Sequence, residues 1–227
     1  MTELLCSCGR WPIAKRGKCP SCYNASRNRL IAYGQWESNL VPAAPVRAHI
    51  AELQATGMSR GQIYRLADIP RTTFYALLYG RDGEQPTTHA VKTTADAVLS
   101  VRVPRSVAEL IAVSMDRDPV PAIGARRRLQ ALVANGWRMS YLAEELDITR
   151  QAFHPLIHRK ERVRLFRHRQ IADLFARLQL DPGPSDEARA YAQKQKWPLP
   201  FQWDEEEIDE LNARPVSGSR RRVRQVA

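Results

Sequence analysis

The 227-residue sequence predicts a mainly α-helical chain in which one small helical unit occurs twice, in tandem, behind a short N-terminal metal-binding element. Three observations carry this expectation. The chain matches itself at an offset of 79 residues, apolar residues within the matching stretches recur at spacings of three and four, and all four cysteines fall between Cys6 and Cys22.

The N-terminal element is assigned to residues 1–36. Cys6-x-Cys8 and Cys19-x-x-Cys22 form two pairs separated by a ten-residue loop. Four thiolates can occupy the corners of a tetrahedron around one zinc ion, and so short a loop cannot build a core of its own. Cys6, Cys8, Cys19 and Cys22 are therefore the candidate ligands of Zn2+. Crowded cysteines behind "MTELLCSCGR", which has no signal-peptide pattern, favour a metal over disulfides. The tight Cys-x-Cys spacing leaves a cluster site or a redox pair open as alternatives. Arg10, Lys15, Arg16, Lys18, Arg27 and Arg29 surround the element with positive charge.

The first unit is assigned to residues 41–103. From Val41 to Leu77 the chain aligns without a gap on the stretch 79 residues later, with 12 identities in 37 positions, Gly57, Asp68, Arg71 and Phe74 among them. Ile50 and Leu53, then Ile63, Leu66 and Ala67, give the period of two amphipathic helices. Gly57 suits a helix stop that needs positive φ, and Ser59 is placed to cap the next helix, which runs to about Leu66. Pro70 suits the start of a third helix with Phe74, Leu77 and Leu78 on one apolar face. Residues 80–105 read as a loop and a closing helix, because "TTADAVL" echoes "RQIADLF" of the later copy. Over residues 104–119, "SVAELIAVSM" makes a short helix and "DRDPVPA" a hinge.

The second unit is assigned to residues 120–181. Gly136 repeats Gly57, the second helix ends near Leu146, Thr149 suits an N-cap, and Phe153, Leu156 and Ile157 repeat the apolar face. Pro155 lies six positions into that third helix, where a missing amide and a ring clash predict a kink or an early end. A basic helix follows in "HRKERVRLFRHRQIADLFARL". Arg159, Lys160, Arg162, Arg164, Arg167 and Arg169 have only Glu161 and Asp173 to offset them, so they are candidate phosphate contacts. His154 and His158 share a helix face but lack an acidic partner at zinc spacing, and groove or surface positions explain them better.

Residues 182–212 are read as a helix from about Ser185 to Lys196, followed by Trp197, Phe201 and Trp203 clamping onto a core. The acidic run from Asp204 to Glu210 is expected to be solvated, with folding over the basic surface as the alternative. Residues 213–227 form an Arg-rich tail without apolar period, expected to be disordered.

Helix, short turn and helix at this spacing resembles the helix-turn-helix of bacterial and phage transcription regulators, whose "LAxxLGVSxxTV" core is matched by "LAEELDITRQAF". Asp68 and Asp147 stand where that family usually has glycine. The resemblance implies two tandem helix-turn-helix units whose third helices enter the major groove. Arg71, Thr72, Thr73 and Tyr75 in the first copy, and Arg150, Gln151 and His154 in the second, would then face base edges and phosphates. Arginine can reach guanine O6 and N7, and glutamine can pair with adenine N6 and N7. The cysteine stretch resembles small zinc elements of actinobacterial and phage proteins, including some HNH nucleases, although nothing after Cys22 supplies a His-Asn-His set. Together with the repeat, the "WPLPFQWDEEEID" ending resembles a family of actinobacterial and actinophage helix-turn-helix proteins, and implies DNA binding.

Charge agrees with that expectation. The net charge is +11, and residues 120–180 alone carry +7. A polyanion is the default partner of such a chain, because each phosphate contact releases a condensed counterion. Double-stranded DNA is the expected partner, bound by a monomer acting as a transcriptional regulator. The alternative is an adaptor that docks on RNA polymerase, a recombinase or another regulatory protein through the zinc element and acidic segment. No apolar run approaches the roughly 18 residues that span a bilayer, so a membrane partner is not expected. A cytoplasmic, nucleoid-associated protein is. With no carboxylate pair, Cys-His nucleophile or Gly-rich phosphate loop in supporting context, catalysis is not expected either.

Overall fold

In the computed structural model, which describes residues 6–9, 17–80 and 84–216, the chain is mainly helical. Helix α1 (Pro20–Ala32) begins where Cys19 leaves extended backbone and Pro20 takes a first-turn position, where its missing amide costs nothing. No residue of α1 is buried.

Beyond α1 one order of elements occurs twice. The first run is β1 (Leu40–Pro42), α2 (Ala44–Ala55), α3 (Arg60–Leu66), α4 (Arg71–Tyr79), β2 (His89–Val91), α5 (Lys92–Leu99) and α6 (Val107–Ala112). The second is β3 (Pro119–Pro121), α7 (Ile123–Ala134), α8 (Met139–Glu145), α9 (Arg150–His158), β4 (Arg162–Arg164), α10 (Leu165–Leu178) and α11 (Asp186–Lys194). The first four elements of each run coincide at both ends under the 79-residue offset. The loop before β4 is six residues shorter than the loop before β2, and α10 is six residues longer than α5. Register therefore returns, and the N-caps Ser106 and Ser185 are again 79 residues apart.

Local chemistry accounts for the helix boundaries. Gly57 (φ 95°) and Gly136 (φ 104°) end the first helix of each run in a conformation that side chains resist. Ser59 and Gln62 form a capping box on α3, and Thr149 Oγ1 accepts from the Ala152 amide on α9. Asp68 (φ 50°) and Asp147 (φ 49°) are left-handed in both turns before the third helix, which is where glycine would otherwise be favoured. Pro155 does not shorten α9. The helix keeps the nine residues of α4, and the amides of Arg159 and Lys160 both return to the Pro155 carbonyl.

The strands were not legible in the sequence. β1 pairs antiparallel with β2 through Val41 and Ala90, and β3 with β4 through Val120 and Val163. Three-residue strands are too short for an alternating pattern, and prolines are tolerated because a two-stranded ribbon is all edge. Two expectations are corrected here. "DRDPVPA" is no free hinge, since Pro119–Pro121 is a paired strand, and Arg162 and Arg164 lie on β4, before the basic helix begins.

Each run has its own core. Ile50, Leu53, Ile63, Phe74, Leu77 and Leu110 fill the first, and Leu129, Leu132, Leu142, Phe153, Ile157, Leu165 and Phe175 the second. Helix α6 serves both: Leu110 is buried in the first core, while Ile111 packs against the second. Trp197 and Trp203 clamp onto the second core as expected, but Phe201 is 80% exposed. Residues 217–227, most of the tail expected to be disordered, lie outside the described residues, as do Arg10, Lys15 and Arg16. No described helix is long and apolar enough to cross a membrane.

Candidate functional site

Two features gather chemistry: the four cysteines, and the outward faces of α4 and α9. The Sγ atoms of Cys6, Cys8, Cys19 and Cys22 all lie within 4.8 Å of one another, with Cys8 and Cys19 at 3.6 Å. A tetrahedral ion with metal–sulfur bonds of about 2.3 Å holds its sulfurs about 3.8 Å apart, so the spacing fits a metal. Local folding makes the cluster. The Gly9 amide closes a turn on the Cys6 carbonyl at 2.7 Å, and Cys19 is the N-cap of α1, its sulfur accepting from the Cys22 amide at 3.5 Å.

Two of the thiols are shifted in opposite directions. Backbone amides of Cys8 and Cys19 hold the Cys6 thiol down to about 6, whereas hydrogen bonds shared with the Cys19, Cys8 and Cys6 sulfurs push Cys22 up to about 12. Four such sulfurs cannot all ionise side by side without a cation to offset them. The donor set, four soft thiolates at tetrahedral spacing, suits a soft or borderline ion.

On α4, Phe74 and Leu77 face the core while Arg71 and Thr72 are exposed and Thr73 and Tyr75 are half-buried. On α9, Phe153, Leu156 and Ile157 face inward while Arg150, Gln151 and His154 are exposed. Of the seven residues expected to read bases, Arg71, Thr72, Arg150, Gln151 and His154 lie at the outer starts of the third helices, while Tyr75 packs against the first core and Thr73 is half-buried. Arg71 is not free, because its guanidinium lies 5.4 Å over the Tyr75 ring.

A further equivalence was missed in the sequence. Tyr75 and Tyr79 approach at 6.0 Å between ring centres, and the positions 79 residues later, His154 and His158, at 4.5 Å. Both third helices therefore present an arginine followed by two rings at four-residue intervals. In the second copy the column continues into Trp197, 5.5 Å from His158, and Tyr191, 5.5 Å from Trp197. Burial, and then His154, hold the His158 imidazole below its usual range. Arg138, Arg150, His154 and Tyr191 line a cleft of about 320 Å³ beside this column.

The six expected phosphate contacts divide. Arg159 and Lys160 are exposed. Arg162 is half-buried and donates to the carbonyls of Gly57 and Pro119, and burial lowers its guanidinium from its usual range. Arg164 donates to the Arg117 carbonyl at 3.0 Å, Arg167 to the Leu146 carbonyl at the end of α8, and Arg169 pairs with Asp116 at 2.6 Å. Arg162 and Arg167 are thus drawn into the fold, while Arg159, Lys160, Arg164 and Arg169 remain exposed, Arg169 beside Asp116.

The acidic run divides: Asp204, Glu205, Glu206 and Glu207 are exposed, as the solvated reading expected, while Asp209 and Glu210 fold over the chain. Asp209 accepts both guanidinium nitrogens of Arg128 at 2.6 and 2.9 Å and Nε2 of His168 at 2.8 Å. Glu210 accepts from the Val107 and Ala108 amides at the start of α6, and Glu205 from Gln179. Arg127 donates to the carbonyls of Ile208, Glu210 and Ala213 and stacks 4.9 Å over Trp203. A signal for this clasp was present. Arg128 shares the inward face of α7 with Ala125, Leu129 and Leu132, and a buried arginine requires an acid. Compared with known proteins, the chain matches no family model, no curated protein and no solved structure.

Proposed function

We propose that the chain is a sequence-specific double-stranded DNA-binding regulator of transcription, of phage or mobile-element kind, with two tandem helix-turn-helix units that read two non-identical half-sites. The observation that carries this reading is the matched pair of outward faces. At equivalent positions α4 and α9 present Arg71 and Arg150, then Thr72 and Gln151, then the ring pairs, each behind a left-handed aspartate turn. Such helix starts supply bidentate donors and stacking surfaces for base edges, and a +11 chain supplies the attraction to phosphate. In this reading the four cysteines hold one zinc ion that organises the N-terminal element. Selection of bound fragments from random duplex DNA tests it: enrichment of a composite site is the expected result, and no enrichment at moderate salt overturns it.

One observation favours an adaptor as the second reading. On helix α1, Asn24, Ala25, Arg27, Asn28 and Arg29 are exposed, a basic face that another protein such as RNA polymerase could meet. The acidic segment supports that reading less, because Asp209 and Glu210 are engaged internally.

A further inference from the structure

We infer that the two units are spliced head to tail into one rigid reading head, so that its DNA site is a direct repeat of two related subsites at a single spacing, not a palindrome. This rests on the proposed DNA reading. The splice itself stands on packing and hydrogen bonds between the units. Gly57, in the turn between α2 and α3, lies against Pro121 of β3, and its carbonyl accepts from Arg162 of β4. Arg65 of α3 pairs with Asp118 at 2.5 Å, and buried Gln62 donates to Ser114 at 2.7 Å. Residues 114–118 are clamped from the other side, where the Leu165 amide donates to the Asp118 carbonyl and Arg169 pairs with Asp116. Glu210 then ties the C-terminal segment to the start of α6.

A two-fold interface would return each of these interactions: if a residue of the first unit meets one of the second, their counterparts meet as well. They do not. The counterpart of Gly57 is Gly136, which packs on Gly183 and Arg189 beside its own α11, whereas the counterpart of Pro121 is Pro42. The Arg65–Asp118 pair maps onto Glu144 and Asn39, which carry no opposite charges. The interface is heterologous, one unit succeeding the other as in a repeat array whose last turn is covered by α11. A head-to-tail succession carries α4 onto α9 without a two-fold axis, so the two helices are not related as the halves of a palindrome require.

Fragment selection with the full-length chain tests this, followed by competition with the enriched site carrying altered spacers. Two related subsites in the same orientation at one spacing are expected. Inserting five base pairs, about half a helical turn, should weaken binding by about 100-fold, because avidity vanishes when both subsites cannot be engaged together. An inverted repeat, or equal affinity across spacers, overturns the inference and leaves the DNA reading standing, whereas no enriched DNA at all overturns both. Spin labels on keto amino acids at exposed Ala51 and Ala176, one per unit, test the rigid splice without DNA: one narrow distance is expected, and a broad distribution overturns it.

Discussion

Asp209 shows how a single side chain organises the C-terminal segment. Burial works to raise its pKa, but hydrogen bonds from His168 and Arg128 outweigh that and hold the carboxyl below the usual carboxylate range. Removing it strands Arg128 and His168, both almost fully buried, without their acid. Asp209→Ala should therefore cost about 3–5 kcal/mol, as for other broken buried pairs, read as a lowered denaturation midpoint. Because the folded-state pKa is depressed, this contribution is fully present above the unfolded value of about 3.9 and is lost as pH falls through the folded one. Wild-type stability should decline below about pH 4 more steeply than that of the variant. Arg159 and Lys160 require a different measurement. Changing both to alanine should weaken binding to every DNA sequence alike and flatten the salt dependence by about one unit for each phosphate left without its cation. Arg162→Ala should instead lower stability, because it removes the donor to the Gly57 and Pro119 carbonyls. Gln151→Ala should relax one subsite by about 1–3 kcal/mol of discrimination and leave the other intact, as seen in the selected sequences.

At the scale of elements, the N-terminal segment and the third helices depend on different forces. No residue of helix α1 is fully buried, and its start is Cys19 of the cysteine cluster, so the cluster is expected to anchor it. One zinc ion per chain is expected by elemental analysis of purified protein. Cys8→Ser and Cys22→Ser should each lower metal content, and chelation should melt the α1 signals while leaving those of α7 and α10 unchanged. Absence of zinc, or iron in its place, would refute the assignment. The third helices, by contrast, are held by apolar faces: Phe74 and Phe153 are both essentially fully buried. Their outward residues can vary without cost to the fold, which is what allows Thr72 and Gln151 to differ above one shared scaffold.

For the whole molecule, α6 decides how the units behave together. Leu110 belongs to one core and Ile111 to the other, so the helix cannot leave either without exposing apolar surface. Leu110→Ala should cost about 2–5 kcal/mol and shift the unfolding of both units in one transition, followed by hydrogen exchange on α2 and α7. A first unit that melts alone would show that the splice does not couple them. On the proposed DNA reading, coupling of this kind would let a single chain take the place of two subunits of a dimer, and one chain per composite site is the expected stoichiometry.

Much of the architecture was legible because the repeat is written in apolar spacing and in local backbone chemistry. The spacing of Ile50, Leu53 and Phe74, the glycines at 57 and 136, and the caps at Ser59 and Thr149 act within a few residues of themselves, so they can be read without neighbours. The cysteine cluster was legible for the same reason. Only the tertiary structure decided what the charges do. Arg162, Arg164, Arg167 and Arg169 looked like a cationic face because their partners, carbonyls of Gly57, Arg117 and Leu146 and the carboxylate of Asp116, lie roughly 20 to 100 positions away. The four strands and the clasp at Asp209 escaped for the same cause. Three-residue strands carry no period, and although Arg128 on the inward face of α7 called for an acid, nothing near it in sequence says that Asp209, 81 positions on, supplies it.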